Sequence, residues 1–398
     1  MARTAELDRR QAPTPPTPPR GRTDDARNAE ADRAARDVTY SRNERGAPRK
    51  GAEMPNNDDF QRLADPFRRE LLAHCYRMLG SVHDAEDLVQ ETYLRAWRAY
   101  DRFEGRSSLR TWLYSIATRT CLTALEQRNR RPMPSDLVEC SDSPGGQLTT
   151  APEVAWLEPI PDAFTTDPAA PADPAAIVAS RESLRLALIT ALQHLPPRQR
   201  AVLLLRDVLK WRAAEVAELL GTSTAAINSA LQRARAQLEE VAPSEDEVVE
   251  PTDRDQREML DRYVAAFENA DIAALVELFK QDAVWEMPPF LSWFRGRDNI
   301  GVCVSRQCAP GAGDLRLVPT KANGQPAFGL YKRRDDGVHR AHSLQVLTIS
   351  SEGITHVGAF FDISLFGTFG LPDVYSGRPD VGSDQSDHSS ASPMSSRR

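Results

Sequence analysis

Between Asp84 and Arg131 the chain carries two amphipathic stretches separated only by the connection FEGRSSL. In HDAEDLVQETYLRAW, the residues Ala85, Leu88, Val89, Thr92, Tyr93, Ala96 and Trp97 recur at helical spacing. Leu109, Trp112, Leu113, Ile116, Ala117, Thr120 and Cys121 repeat the pattern in the second stretch. Each helix must bury one stripe, and Leu71, Leu72, Cys75, Met78 and Leu79 supply a further stripe just upstream, so a small helical bundle is expected. Asp84 follows the Gly80–Ser81 break and stands where a helix N-cap would be.

The outer faces differ in chemistry. Asp84, Asp87, Gln90, Glu91 and Arg95 form a mostly acidic face suited to a basic protein partner, although such a face alone is usually a solvated surface. The second helix and its flanks carry Arg106, Ser108, Arg110, Trp112, Tyr114, Arg119, Arg128, Arg130 and Arg131. Bases stacked on aromatics, with arginine on the backbone, are how single strands are held.

Composition bounds the rest. At 398 residues, two or three domains are expected. The formal net charge is -7, so no global basic field attracts nucleic acid and any DNA contact must come from local patches. The five cysteines (Cys75, Cys121, Cys140, Cys303, Cys308) form no CxxC pair, and Cys303 and Cys308 lack partners at zinc-ligand spacing. No metal and no cofactor is expected. The cysteine usage fits a reduced, cytoplasmic protein, and neither a membrane span nor a secretory signal is apparent.

Along the chain, residues 1–55 are an Arg-, Ala-, Asp- and Pro-rich arm that cannot bury a core, so disorder is expected. Residues 56–131 form the first helical block. Residues 132–180 read as a linker, except that AWLEPIPDAF carries Trp156, Leu157, Ile160 and Phe164, which are costly to leave in water and predict docking. Residues 181–242 are helical again. After an acidic connector, residues 252–372 open with two helices and turn to strands: AVWEM, LRLVPTKA, AFGLYKR, HSLQVLTI and ITHVGAFFD, with NGQP, DDG and SEG turns. Residues 373–398 form a second polar tail.

The middle block has helix-turn-helix grammar. Pro196–Pro197 start a helix that Val202, Leu203 and Leu205 can pack. Val216, Ala217 and Leu220 point inward on a short helix that Gly221 ends, and Thr222 or Ser223 can cap the next. On that helix Ile227, Leu231, Ala234 and Leu238 face in. Thr224, Ala225, Asn228, Ser229, Gln232 and Arg233 are left on the surface that would enter a major groove. Asn and Gln can read adenine, and Arg guanine or phosphate.

Taken together, these residues resemble the extracytoplasmic-function sigma factors of the sigma-70 class, from about Phe60 to Leu238 with a gap at the linker. DAEDLVQETYLRAW looks like the region that binds the β′ clamp helices of core RNA polymerase. FEGRSSLRTWLYSIATRTCLTAL looks like the region that melts and reads the −10 element. LPPRQRAVLLLRDVLKWRAAEVAELLGTSTAAINSALQRAR looks like region 4, which reads the −35 element and touches the β flap. WLEPIPD is similar to a segment of a subgroup with a C-terminal extension. The resemblance implies promoter DNA and core polymerase as partners, and an anti-sigma factor as a further candidate. Many relatives have Asn where Arg119 stands, and Lys and Arg where Asn228 and Ala230 stand, so the promoter sequence does not carry over.

The C-terminal block resembles the SnoaL-like domains of the NTF2-like superfamily, implying an α+β cone behind two all-α sigma domains. Trp285, Met287, Trp293, His342 and Asp362 are the candidate pocket residues for a small-molecule ligand. His342 could equally be a satisfied strand histidine, and Asp362 a turn or cap carboxylate. In the sigma-fused members, the resemblance implies regulation in cis rather than turnover. Two other readings stay open at this point: a SnoaL-like isomerase or hydrolase with a DNA-binding front end, and a helix-turn-helix regulator acting without polymerase. The first lacks Cys-His, Ser-His-Asp or metal-ligand spacing. The second leaves residues 84–131 unexplained.

Overall fold

The computed structural model describes residues 57–127, 130–165, 182–241, 253–307 and 311–376. The expected N-terminal arm, Arg128, Cys308 and most of the expected tail lie outside them. The first bundle comprises helices Asn57–Ala64, Arg68–Leu79, Val82–Ala99 and Leu109–Leu125. Its apolar stripes meet as the periodicity requires, and Leu71, Cys75, Met78, Val89, Leu113, Ala117 and Cys121 are all buried. Gly80 ends the second helix at φ 70, a conformation open to glycine. The cap of the next helix is Ser81, not Asp84: the Ser81 hydroxyl accepts from the Asp84 amide at 3.1 Å. Asp84 sits one turn in, where its charge faces the positive helix end.

The second helical module runs Leu186–Gln193, Pro197–Leu203 with a following π turn Leu204–Val208, Ala213–Leu220 and Thr224–Val241. Pro196 is the N-cap and Pro197 the first helical residue, where a missing N–H costs nothing. Gly221 turns the chain at φ 63. The Ser223 hydroxyl then accepts from the Ala226 amide at 3.2 Å to start the last helix.

The C-terminal domain opens with helices Asp253–Glu268 and Ile272–Glu277. Six strands follow: β1 Phe279–Glu286, β2 Phe294–Arg295, β3 Leu315–Ala322, β4 Gln325–Arg333, β5 His339–Ser350 and β6 Gly353–Phe360. They form one sheet in the order β2-β1-β6-β5-β4-β3, parallel only between β1 and β6. This is the expected α+β architecture. β1 begins at Phe279, ahead of the expected AVWEM strand. The two-residue β2 and the helix Arg297–Gln307 were not expected, because neither shows a clean period. The β3–β4 hairpin turns at Asn323 (φ 58) and Gly324 (φ 72), the two positive φ values of a two-residue hairpin turn whose twist matches the strands. The sheet's contacts run past the expected boundary at 372, since the Tyr375 amide donates to the His339 carbonyl at 3.0 Å.

The sheet is covered on both faces. One face packs against the domain's own helices through Tyr263, Phe267, Trp285, Phe328, Leu330 and Leu347. On the other face Ala327, Leu344, Val346 and Phe360 join the same apolar cluster as Tyr76, Leu157, Ile160, Leu186 and Ile189. The helical modules and the sheet therefore share a core. The expected linker is not loose where it is described: Met133, Leu157 and Ile160 are buried within that cluster, and residues 166–181 lie outside the described residues.

Candidate nucleic-acid interface

Thr224, Ala225, Asn228, Ser229, Gln232 and Arg233 are all exposed on one side of the Thr224–Val241 helix. Behind them Ile227, Leu231 and Ala234 are buried. None of the six side chains makes a hydrogen bond or ion pair among the described residues, so this face is available as it stands.

The arginine-aromatic surface is different, because its groups already hold partners within the chain. Arg110 makes a two-pronged pair with Glu70, at 2.8 Å from Nε and 2.6 Å from Nη2 to Oε2. Tyr114, expected to be exposed, is buried at 2 %. Its helix position turns it inward, and its hydroxyl donates to Glu70 Oε2 at 3.2 Å. Burial leads the causes that push its pKa up, so it stays a neutral donor. Its ring is not available for stacking. Trp112 is half-buried beside Phe103, ring centroids 4.8 Å apart. Arg106 pairs with Glu104, and Ser108 spends its hydroxyl capping the helix at the Thr111 amide. Arg119 is exposed and donates to the Leu219 carbonyl at 3.4 Å. Arg130 lies 2.8 Å from His194 Nδ1. Arg131 pairs with Asp84 at 2.5 Å and Glu158 at 3.2 Å.

The acidic face is split in the same way. Asp87 and Gln90 are exposed, and Glu91 pairs along the helix with Arg95 at 2.6 Å. Asp84, by contrast, is held by Arg131. Leu94 and Trp97 are exposed on this helix at 48 % and 37 %. Trp97, at the end of the stripe, was expected to face inward and is exposed instead.

Residues that the chain pattern did not single out bind the modules together. Asn323, wholly buried at the hairpin tip, accepts from the Ile160 amide at 3.0 Å. It donates to the Tyr76 hydroxyl at 2.8 Å and the Leu184 carbonyl at 2.7 Å. The Tyr76 hydroxyl in turn donates to the Glu158 carbonyl at 2.8 Å. Asp162 accepts from the Gly324 amide at 2.7 Å, and Gln325 accepts from the Leu186 amide at 2.9 Å. One turn thus grips the first bundle, the linker and the start of the second module. The Asn-Gly pair announced a hairpin, but not what it would plug into. Arg200, 2 % exposed, donates to the carbonyls of Met78, Gln193 and Leu195 and fastens the second module to the first bundle. Burial lowers its pKa to about 10, so it remains a cation at neutral pH. The expected docking of AWLEPIPDAF runs through Leu157, Ile160 and Asp162. Trp156 instead folds back to donate to the Ala151 carbonyl at 3.0 Å.

The structure does not bring the five candidate pocket residues together. Trp285 and Met287 are core side chains. Trp293 is buried and donates to the linker carbonyl of Val138 at 2.9 Å. Asp362 is exposed and accepts from the Ser364 amide at 2.9 Å and hydroxyl at 2.6 Å, the work of a turn carboxylate rather than a pocket acid. His342 is half-buried with its ring edge on Phe361. Among the described residues no cluster of His, Cys, Asp or Glu could hold a metal ion. No helix among them is long and apolar enough to cross a membrane.

Comparison with known proteins agrees with this geometry. Residues 63–131 match the model of Sigma-70 region 2, and residues 185–238 match that of Sigma-70, region 4. The chain is 57% identical over 317 residues to the ECF RNA polymerase sigma factor SigG of Mycobacterium tuberculosis, covering 79% of this chain and 84% of that protein. It is 28% identical over 329 residues to SigJ, an ECF RNA polymerase sigma factor of the same species, covering 79% of this chain and 93% of that protein. The crystal structure of SigJ aligns over 78% of this chain and 99% of that one, with a TM-score of 0.51 and 25% identity. The chain belongs to the ECF RNA polymerase sigma factors, carrying an α+β domain after its two sigma modules.

Proposed function

We propose that this alternative sigma factor binds core RNA polymerase through the Val82–Ala99 face and directs initiation from promoters read by two surfaces, and that its C-terminal domain restrains it in cis. Asp87, Gln90, Glu91 and Arg95 are the side of that face ready for the β′ clamp helices, and Asp84 joins them once released from Arg131. Arg106, Ser108, Arg110, Trp112, Arg119, Arg128 and Arg130 are the proposed −10 contacts; Tyr114 supports them from beneath. Thr224, Ala225, Asn228, Ser229, Gln232 and Arg233 are the proposed −35 contacts. The protein acts by binding rather than by turnover, in the cytoplasm where polymerase is, and an anti-sigma factor is a further candidate partner.

The observation that carries the restraint is a distance. The −10 and −35 elements lie about 25 base pairs apart, roughly 85 Å at about 3.4 Å per base pair. Here Arg119 of the first surface touches Leu219 of the helix-turn-helix at 3.4 Å. A sigma factor in this arrangement cannot reach both elements, so the modules must separate. What opposes separation is the shared core and the hydrogen bonds at Asn323 and Arg200, only some of which belong to the sigma modules themselves.

In vitro transcription with core polymerase and a promoter obtained by genome-wide selection tests this. The Asn323→Ala chain should initiate more often than the wild-type chain at limiting core polymerase. Equal output from the two would overturn the restraint. Failure of both on every selected promoter would overturn the promoter-reading assignments themselves.

A further inference from the structure

Sigma function leaves one rim of the C-terminal sheet unexplained. The register between β4 and β5 slips there: Leu330 pairs with Ser343 and Tyr331 with Ala341, so His342 is the extra residue of a bulge. Bulges of this kind re-aim a side chain. His342 meets Phe361 edge to face at 5.2 Å, and Phe361 meets Phe290 in the same way at 5.2 Å. Phe290 and Phe361 both pack against the domain's internal core. Alternation along β4 places Lys332 on the same side as the core residues Phe328 and Leu330, and Arg334 follows two residues on.

The charge at this rim is one-sided. Burial, then Lys332 and Arg334, lower the pKa of His342 to about 4, so its imidazole is neutral at pH 7. The adjacent Arg333 and Arg340 are paired with Asp314 and Asp336. Lys332 and Arg334 have no ion-pair partner among the described residues. Two cations without an ion-pair partner among the described residues, a neutral imidazole and two half-buried phenylalanines fit a flat ring carrying a negative charge.

We propose that this rim binds a small aryl carboxylate, held by Lys332 and Arg334 and stacked or edged against Phe361 and Phe290. The site is placed to be felt by the linker. The loop that carries Phe290 is bonded to it on both sides: the Ala151 amide donates to the Pro289 carbonyl at 2.9 Å and the Leu291 amide to the Thr149 carbonyl at 2.9 Å. An occupant that shifts Phe290 therefore bears on residues 149–151. That consequence rests on the proposed restraint in cis, whereas binding itself does not.

Calorimetric titration of the full chain, without polymerase, with 2-naphthoate, 2-naphthamide and inorganic phosphate tests the site. 2-Naphthoate should bind saturably, and about tenfold more tightly than either the uncharged amide or phosphate. The Lys332→Gln/Arg334→Gln chain should lose that preference, and Phe361→Leu should weaken naphthoate while keeping the preference over the amide. No saturable naphthoate binding up to about 10 mM, equal binding in the double variant, or phosphate binding as tightly as naphthoate would each overturn the proposal. Circular dichroism of each variant establishes that it folds. Transcription output plays no part, so this result and the test of restraint fail or succeed separately.

Discussion

The two surfaces proposed to meet DNA stand in opposite states. The helix-turn-helix presents six exposed side chains with no partner among the described residues. The arginine-aromatic surface is largely committed, with Arg110 on Glu70, Arg119 on Leu219, Arg130 beside His194 and Arg131 on Asp84 and Glu158. Contacts of charged groups within the chain compete directly with contacts to phosphate. The surface proposed to open a duplex is thus kept occupied, while the one proposed to read closed duplex is left free. The sheet domain reinforces the contrast, because it grips the side of the molecule that holds the first bundle against the second module.

The contrast can be broken, beginning with its strongest support. Asn323→Ala removes three side-chain hydrogen bonds from a buried site and leaves alanine at φ 58. A loss of roughly 3–5 kcal/mol is expected, read by denaturant unfolding, with increased amide exchange in residues 157–162. Arg200→Met should cost roughly 2–4 kcal/mol, since it strands the carbonyls of Met78, Gln193 and Leu195. A midpoint unchanged by that substitution would mean the modules are held by apolar packing alone.

A third effect is set by pH. Burial, followed by the nearby Arg77 charge, lowers the pKa of His74 to about 3, and its Nε2 lies 2.9 Å from Thr118 Oγ1. The folded form keeps this ring neutral while the unfolded chain takes a proton near pH 6.5. Its contribution is therefore intact above that pH and declines as pH falls toward 3, by about 1.4 kcal/mol per unit. The unfolding free energy of His74→Gln should show a shallower slope between pH 6 and pH 4 than that of the parent chain. Parallel slopes would remove His74 from the account.

The smallest expected effect on stability lies on the free surface. Asn228→Ala should move stability by less than about 0.5 kcal/mol while costing about 1–3 kcal/mol in binding to a selected −35 duplex. Should it destabilise the chain as much as Asn323→Ala, the distinction between free and occupied surfaces would fall.

The parts legible in the sequence were those governed by local rules. Helical period located the bundle, and Gly221 with Ser223 located the turn of the helix-turn-helix. Asn323-Gly324 located the hairpin, because positive φ is a property of one or two residues. Long-range pairing was not legible. Nothing in the pattern around Glu70 says that Arg110 and Tyr114 will meet it, and the side on which Tyr114 lies had to be judged without knowing how the helix is rotated in its bundle. Asp362 stayed between two readings for the same reason: a carboxylate beside apolar strand residues can be a pocket acid or a turn carboxylate until its nearest amide, Ser364, is known. The linker's apolar segment was recognised as needing cover, but which of its side chains would be gripped depended on a turn more than a hundred residues away.

The grip at Asn323 also has a history within each molecule. Tyr76 and Asn323 are 247 residues apart in the chain. At about 5–20 residues per second of synthesis, roughly 10–50 s pass between the appearance of the first and that of the second. Only in the last third of that interval, once Val241 has been added, does a growing chain have both sigma modules and still no hairpin to hold them. Every newly made copy is thus briefly young in a functional sense, able to meet polymerase before its own last domain arrives.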